Sequence, residues 1–195
     1  MAKQQAPNLR IITENNLFDA YGDPIAPFRL SLTSDSYLEF ECCVVNDGDA
    51  VWSSGDPALF PERYLSLTPY NLKGFIHAEV QSNGAFVTSA DPILFDVWGT
   101  VPLSGALTPP DADKFTGFEI APKWVNKTTE NNVGAIGAPA GRIQLASPLS
   151  PGDYKLLVTL DPNNWWGQQK TYSLTFTVAG AALASNTALR VRGKK

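Results

Sequence analysis

Apolar and polar residues alternate with a period of two in three long segments of this chain. Across residues 37–45, Leu38, Phe40, Cys42 and Val44 share one side of an extended backbone, and Glu39 and Glu41 take the other. Across residues 154–160, Tyr154, Leu156, Val158 and Leu160 point one way and Lys155 and Thr159 the other, with Leu157 interrupting the pattern. Across residues 172–178, Tyr172, Leu174, Phe176 and Val178 alternate with Ser173, Thr175 and Thr177. Each segment predicts a strand with one face on a core and one in solvent. Shorter strands are expected at residues 9–13, 29–32, 75–80, 85–88, 93–98, 117–120 and 142–145. No segment of any length shows a helical period; single helical turns fit only residues 56–60 and 69–72.

Turn residues separate these segments, with 15 glycines and 15 prolines spread along 195 positions. The expected fold class is therefore all-β: an antiparallel β-sandwich, immunoglobulin-like or jelly-roll, with long loops and extended terminal arms. The expected organisation is an N-terminal arm with the first strands over residues 1–36, the sandwich over 37–178 and a basic arm over 179–195. Two stretches read as excursions from the sandwich. Residues 100–114 carry Pro102, Pro109 and Pro110, and residues 127–141 are rich in Gly, Ala and Asn.

Charge changes the picture at one place. The net charge of −4, from 15 basic and 19 acidic residues, gives no general basic field for nucleic acid. Yet Arg190, Arg192, Lys194 and Lys195 crowd into the last six residues. They form either an electrostatic hook for an acidic surface or a solvated end, and nucleic acid is expected only through them. Residues 1–5 lack the apolar stretch of a signal peptide, and no apolar run approaches membrane-spanning length. The expectation is a chain without a secretion signal, folded in a cytoplasm, with no membrane partner. The sequon Asn126-Lys127-Thr128 then reads as a chance match.

The residues that could carry catalysis are few. His77 is the only histidine, which removes multi-histidine metal sites, and it reads as a structural residue on the strand face of Phe75 and Glu79. There is no nucleophile elbow, phosphate-binding loop or C-x-x-C motif. Cys42 and Cys43 are adjacent and point to opposite faces, so no disulfide joins them; Cys42 reads as a core residue and Cys43 as facing the other layer, exposed or at an interface. Asp47, Asp49 and Asp56 offer oxygen ligands of the kind calcium takes, but Asn46-Asp47-Gly48 is also a strong turn sequence, and the turn reading is preferred. No catalytic residue, metal or cofactor is expected. Of the five tryptophans, Trp52 and Trp98 read as core. Trp165 and Trp166 sit in a turn between the two clearest strands, and two readings stand there. One ring is an exposed platform for a sugar or a protein, or both rings cap the open end of the sandwich.

Asn46-Asp47-Gly48 followed by Trp52 resembles the N-x-G…W pattern of bacterial immunoglobulin-like modules. Pro148-Leu149-Ser150-Pro151-Gly152-Asp153-Tyr154-Lys155-Leu156, followed by Val158 and Leu160, is similar to the lead-in to their penultimate strand. Residues 17–25, Leu-Phe-Asp-Ala-Tyr-Gly-Asp-Pro-Ile, are similar to a segment of the carbohydrate-binding sandwich of polysaccharide exporter ATPases. The resemblance implies an immunoglobulin-like or jelly-roll module, of the kind used in virion structural or decoration proteins and in carbohydrate-binding modules.

The function expected is therefore non-enzymatic. The chain reads as a structural protein of a virion, a capsid component or cement (decoration) protein assembled in the host cytoplasm. Its partners would be subunits of the same assembly, in a homo-oligomer. The alternative is a carbohydrate-binding immunoglobulin-like module. The candidate contacts are Trp165, Trp166, Arg190, Arg192, Lys194 and Lys195.

Overall fold

The computed structural model describes residues 6–33, 35–64, 72, 74–90, 100–103, 119–126 and 142–179. These residues form an all-β fold of antiparallel sheets in the manner of a sandwich. The strands are β1 (Leu9–Ile11), β2 (Arg29–Thr33), β3 (Tyr37–Glu41), β4 (Val44–Asn46), β5 (Trp52–Ser53), β6 (Ile76–Ser82) and β7 (Ala85–Ala90). They continue as β8 (Thr100–Pro102), β9 (Glu119–Ile120), β10 (Trp124–Asn126), β11 (Arg142–Gln144), β12 (Gly152–Leu160) and β13 (Lys170–Val178). Four groups pair in the orders β1-β4-β10-β8, β11-β3-β2, β13-β12-β6-β7 and β5-β9. One 3₁₀ turn, Pro61–Arg63, follows a turn at residues 57–59. The expected strand at residues 93–98 with Trp98, the stretch 127–141 and residues 180–195 lie outside the described residues.

The sheet of β12 and β13 is built as the alternation requires. Tyr154, Leu156, Val158 and Leu160 are buried, and in register they meet Phe176, Leu174, Tyr172 and Lys170 on β13. On the other side Leu156, Val158 and Leu160 meet Val80, Ala78 and Ile76 of β6. The Tyr154 ring stacks on Phe176 at 5.5 Å, and its hydroxyl donates to the Ser150 carbonyl at 2.7 Å. Asn83 and Gly84 turn β6 into β7 with φ of 50° and 79°, the left-handed pair that a tight hairpin needs. Phe75 does not share the His77 face. It precedes β6 after Gly74 (φ 68°) and turns into the core beside Trp52, while Ile76, Ala78 and Val80 form the buried stripe.

The segment 37–45 departs from the single strand its pattern predicts. It is two strands, with β3 in one sheet and β4 in another, and the chain crosses between them at Cys42-Cys43. Both cysteines are buried, so Cys43 is neither exposed nor at an open interface. Cys42 and Val44 join the main core, whereas Cys43 and Val45 enter a second, smaller core with Ile12, Ile25 and Val125. β4 is therefore buried on both sides and has no solvent face. Residues 100–102 also differ from expectation, since they form β8 against β10 rather than an excursion. Asn126, the first residue of the sequon, is fully buried on β10.

At the end of β4, Asn46 holds four neighbours with one side chain. Its Oδ1 accepts from the Asn8 and Gly48 amides at 3.1 and 3.0 Å, and its Nδ2 donates to the Ala50 and Ile120 carbonyls, both at 2.8 Å. Gly48 leaves room for the incoming N-terminal segment. A Cβ there would lie 2.5 Å from the Asn8 nitrogen and 2.7 Å from the Pro7 carbonyl carbon, closer than real Cβ contacts come.

The opposite edge of β1 is sealed by side chains at alternate positions around the start of β13. Gln168 Oε1 accepts from the Leu9 amide at 2.8 Å, and the Tyr172 hydroxyl accepts from the Ile11 amide at 3.1 Å. Lys170 Nζ donates to the Leu9 carbonyl and to Asn8 Oδ1. Outside this seat Arg10 pairs with Asp47 and with Glu14, and Lys123 reaches Asp47 at 3.0 Å. The Arg10 hydrogen bond holds the Glu14 carboxyl below its ordinary range. At Asp47 burial opposes the charge, but hydrogen bonds from Arg10 and Lys123 outweigh it and lower the pKa as well.

Outcomes on two fronts follow from this seat, the first on its packing. Asn46→Ala strands four backbone groups, the Ile120 carbonyl among them buried, and lowers stability by about 3 kcal/mol in urea unfolding. Gly48→Ala lifts the N-terminal segment, read as faster hydrogen exchange at the Leu9 and Ile11 amides. The second outcome concerns acid. Carboxylates whose folded pKa is depressed contribute stability that is complete above the unfolded value and is lost as pH falls through the folded one. The urea midpoint therefore falls below about pH 4, and it falls less in Arg10→Gln, which has already lost the pairing.

Candidate binding surface

The tryptophan turn is organised by Asp161, which ends β12 and is fully buried with φ of 49°. Its Oδ1 accepts from the Trp165 amide at 2.7 Å, and its Oδ2 from the Trp166 and Gln168 amides at 3.1 and 2.9 Å. Asn164 and Gly167 take the left-handed conformations that close the turn. The carboxylate thus acts as a hub for backbone donors, which fixes where the two indoles go.

Trp166 goes inward. Its ring lies edge-on to Trp52 at 5.6 Å and to Phe75 at 6.0 Å, and its Nε1 donates to the Ser54 carbonyl at 3.1 Å. The Arg63 guanidinium donates to the same carbonyl at 3.3 Å and stands 5.4 Å from the Trp166 ring and 4.0 Å from that of Phe60. Buried Ser54 shares a 2.7 Å hydrogen bond with the Tyr64 hydroxyl, which also donates to the Gly55 carbonyl. Trp165 packs edge-on against Trp166 at 5.7 Å and lies over Gly74, where a Cβ would come within 3.0 Å of the ring. Both indoles are half-buried, Trp166 against the main core and Trp165 against Trp166, so neither stands out as an exposed platform. The four basic residues 190, 192, 194 and 195 lie outside the described residues.

The polar groups that could carry chemistry are dispersed. Asp47 is in the Arg10 and Lys123 pairs, Asp49 accepts from the Ala6 amide at 2.8 Å, and Asp56 accepts from the Ala58 amide at 2.8 Å. Each carboxylate has a different set of partners. His77 Nε2 lies 3.8 Å from Glu79 on the half-buried face of β6. Burial pushes the Cys42 thiol well above its ordinary pKa, and Cys43 adds to the shift, so Cys42 carries no thiolate at neutral pH.

The most exposed large apolar side chains among the described residues lie at turns. Tyr21 is 79% exposed and Phe18 49%, on the turn over residues 17–25. Phe86 is 65% exposed at the β6–β7 tip, next to Val87, and Leu59 is 72% exposed in the turn before the 3₁₀ segment. Sequence reasoning named none of them as a contact, and Phe18 and Tyr21 entered only within the resemblance carried by residues 17–25. The available signals were a pair of aromatics inside a turn-forming Asp/Gly/Pro segment, and two consecutive apolar residues, Phe86-Val87, just after an Asn-Gly turn.

Trp166→Ala removes contacts to Trp52 and Phe75 and leaves the Ser54 carbonyl one donor short. A loss of about 3 kcal/mol is expected in urea unfolding. Trp165→Ala, which leaves the inner ring in place, costs less; equal losses would mean that the two indoles contribute alike to the core.

No protein-family model, curated protein or solved structure matches this chain.

Proposed function

We propose that this chain is a non-enzymatic structural protein of a larger assembly, a capsid component or cement protein of a virion, built on an immunoglobulin-like or jelly-roll sandwich. The observation that carries the reading is the display of apolar side chains at the tip of a well-formed hairpin. Phe86 and Val87 stand in solvent beside the Asn83-Gly84 turn, where nothing in the hairpin's own geometry calls for an apolar residue. Aromatic residues are enriched where one protein docks on another, which fits a displayed Phe86. The dispersal of Asp47, Asp49, Asp56, Glu79 and His77 into pairs and turns fits the same reading, because catalysis needs such groups to converge. The basic residues Arg190, Arg192, Lys194 and Lys195 would add an electrostatic contact to neighbouring acidic subunits.

Light scattering on the purified chain tests this directly. A discrete homo-oligomer, or binding to a preformed shell, is expected. Phe86→Asp should abolish it while leaving the thermal midpoint near that of the wild type, since the side chain is mostly in solvent. A monodisperse monomer that attaches to no particle would sink the proposal.

A further inference from the structure

β13 is the outermost strand of the β13-β12-β6-β7 sheet, and among the described residues no strand pairs with its other side. A sheet edge is ordinarily protected by a proline, a bulge, an inward-pointing charge or a very short strand. β13 has none of these. It runs nine residues without proline, and its register against β12 continues unbroken from Lys170 opposite Leu160 to Val178 opposite Gly152. β2 and β6, by contrast, each carry a register shift in their pairings with β3 and β7. The one charged residue of β13, Lys170, stands at its start and is engaged with β1, where Nζ donates to Asn8 Oδ1 at 2.7 Å. On the core side of the strand Phe176 and Val178 are buried, whereas Tyr172 and Leu174 are only half-buried.

The strand is complementary to itself. Lys170-Thr171-Tyr172-Ser173-Leu174-Thr175-Phe176-Thr177-Val178 reads alike in both directions about Leu174. An antiparallel copy centred there sets Ser173 against Thr175, Thr171 against Thr177 and Tyr172 against Phe176, with Leu174 against its own copy. Hydroxyls then meet hydroxyls on the solvent side and rings meet rings on the core side, and pairs of both kinds stabilise adjacent strands. Lys170 against Val178 is the one unlike pair, and it falls at the two ends. We propose that β13 pairs with β13 of a second copy across a twofold axis at Leu174, joining two four-stranded sheets into one. The contact is isologous, as a closed dimer requires. Leu174 is the middle residue of the strand, so any other axis leaves residues unpaired. An axis between two residues would also set solvent-facing positions against core-facing ones. The exposed side of β13 consists of Thr171, Ser173, Thr175 and Thr177, so no like charges oppose the approach. The second copy also covers Tyr172 and Leu174, the two apolar residues that one chain leaves half-buried. This inference rests on the assembly reading and names a contact between its copies.

Two double variants of the full chain, followed by light scattering over a dilution series, test the register as well as the contact. Ser173→Lys with Thr175→Lys sets like charges opposite each other across the axis and weakens self-association at least about tenfold. Ser173→Asp with Thr175→Lys sets opposite charges at the same places and keeps the affinity within about threefold of the wild type. Both positions are exposed, so each variant keeps a thermal midpoint near that of the wild type. Hydrogen exchange on the wild type gives a second measurement, which carries the test if the two-lysine variant does not fold. Amides of β13 exchange more slowly as the chain is concentrated. An oligomer that both variants break equally, or that neither affects, overturns the inference and leaves the assembly reading standing. A wild-type monomer overturns it too, whether its β13 amides exchange freely or are protected at every dilution by the chain's own residues. The assembly reading falls with it only if that monomer also attaches to no particle.

Discussion

From Cys42 to Asn46 the chain runs with protein on both sides of it, and this double burial constrains everything around β4. Val44 packs into the main core and Val45 into the second, so neither face of the strand can be given to water. Backbone groups in such a place must be paired within the protein. β1 and β10 flank the strand for that reason, the Ile12 amide extends the pairing to the Cys43 carbonyl, and the Lys123 amide meets the Asn46 carbonyl. The side chain at the last position has to be polar at both ends, with two donors and two acceptor sites. Asn46 provides this with all four in use. An aspartate would lack the two donors to Ala50 and Ile120.

β12 and β13 were legible because each has one buried face and one wet one, and period-two alternation reports that difference directly. The crossing at Cys42-Cys43 was not legible by the same rule. Cys42 and Val44 lie on one side and Cys43 and Val45 on the other, so the alternation continues although the surroundings change from one sheet to another. Alternation tells which side of the backbone a residue takes and says nothing about which core lies there. Phe75 failed for a local reason, since Gly74 reverses the backbone just before the strand begins. β5, β8 and β10 are two or three residues long, too short to show a period at all. At the tryptophan turn, adjacency left two readings open, and both indoles are half-buried, with Trp166 the one packed on the main core. The choice of Trp166 as the inner ring depends on Ser54 and Trp52, more than a hundred positions away in sequence.

The β1 edge and the β6–β7 tip treat their exposure differently. β1 begins near the N-terminus, and its outer edge would offer unpaired amides to another chain. Gln168, Lys170 and Tyr172 occupy those groups, and the Arg10, Asp47 and Lys123 charges stand outside them. Like charges near Lys170 explain part of its electrostatics: burial is the largest cause lowering its pKa, and Arg10 adds to it. The β6–β7 tip has no such cover among the described residues, and it presents Phe86 and Val87 instead.

The contrast between these edges bears on where function sits. A ring on a loose loop can fold back onto the surface and recover much of its apolar burial. A ring on a turn fixed by its own hydrogen bonds cannot, and it carries an unfavourable hydration cost of about 25 cal/mol for each Å² left in water. Asp19 places a buried carboxylate under such a turn, and the result is that Tyr21 remains outside. Asp161 does the same work at the tryptophan turn with the opposite result, directing Trp166 into the core. Two buried aspartates of the same local chemistry therefore separate an aromatic packed on the core from one left in solvent.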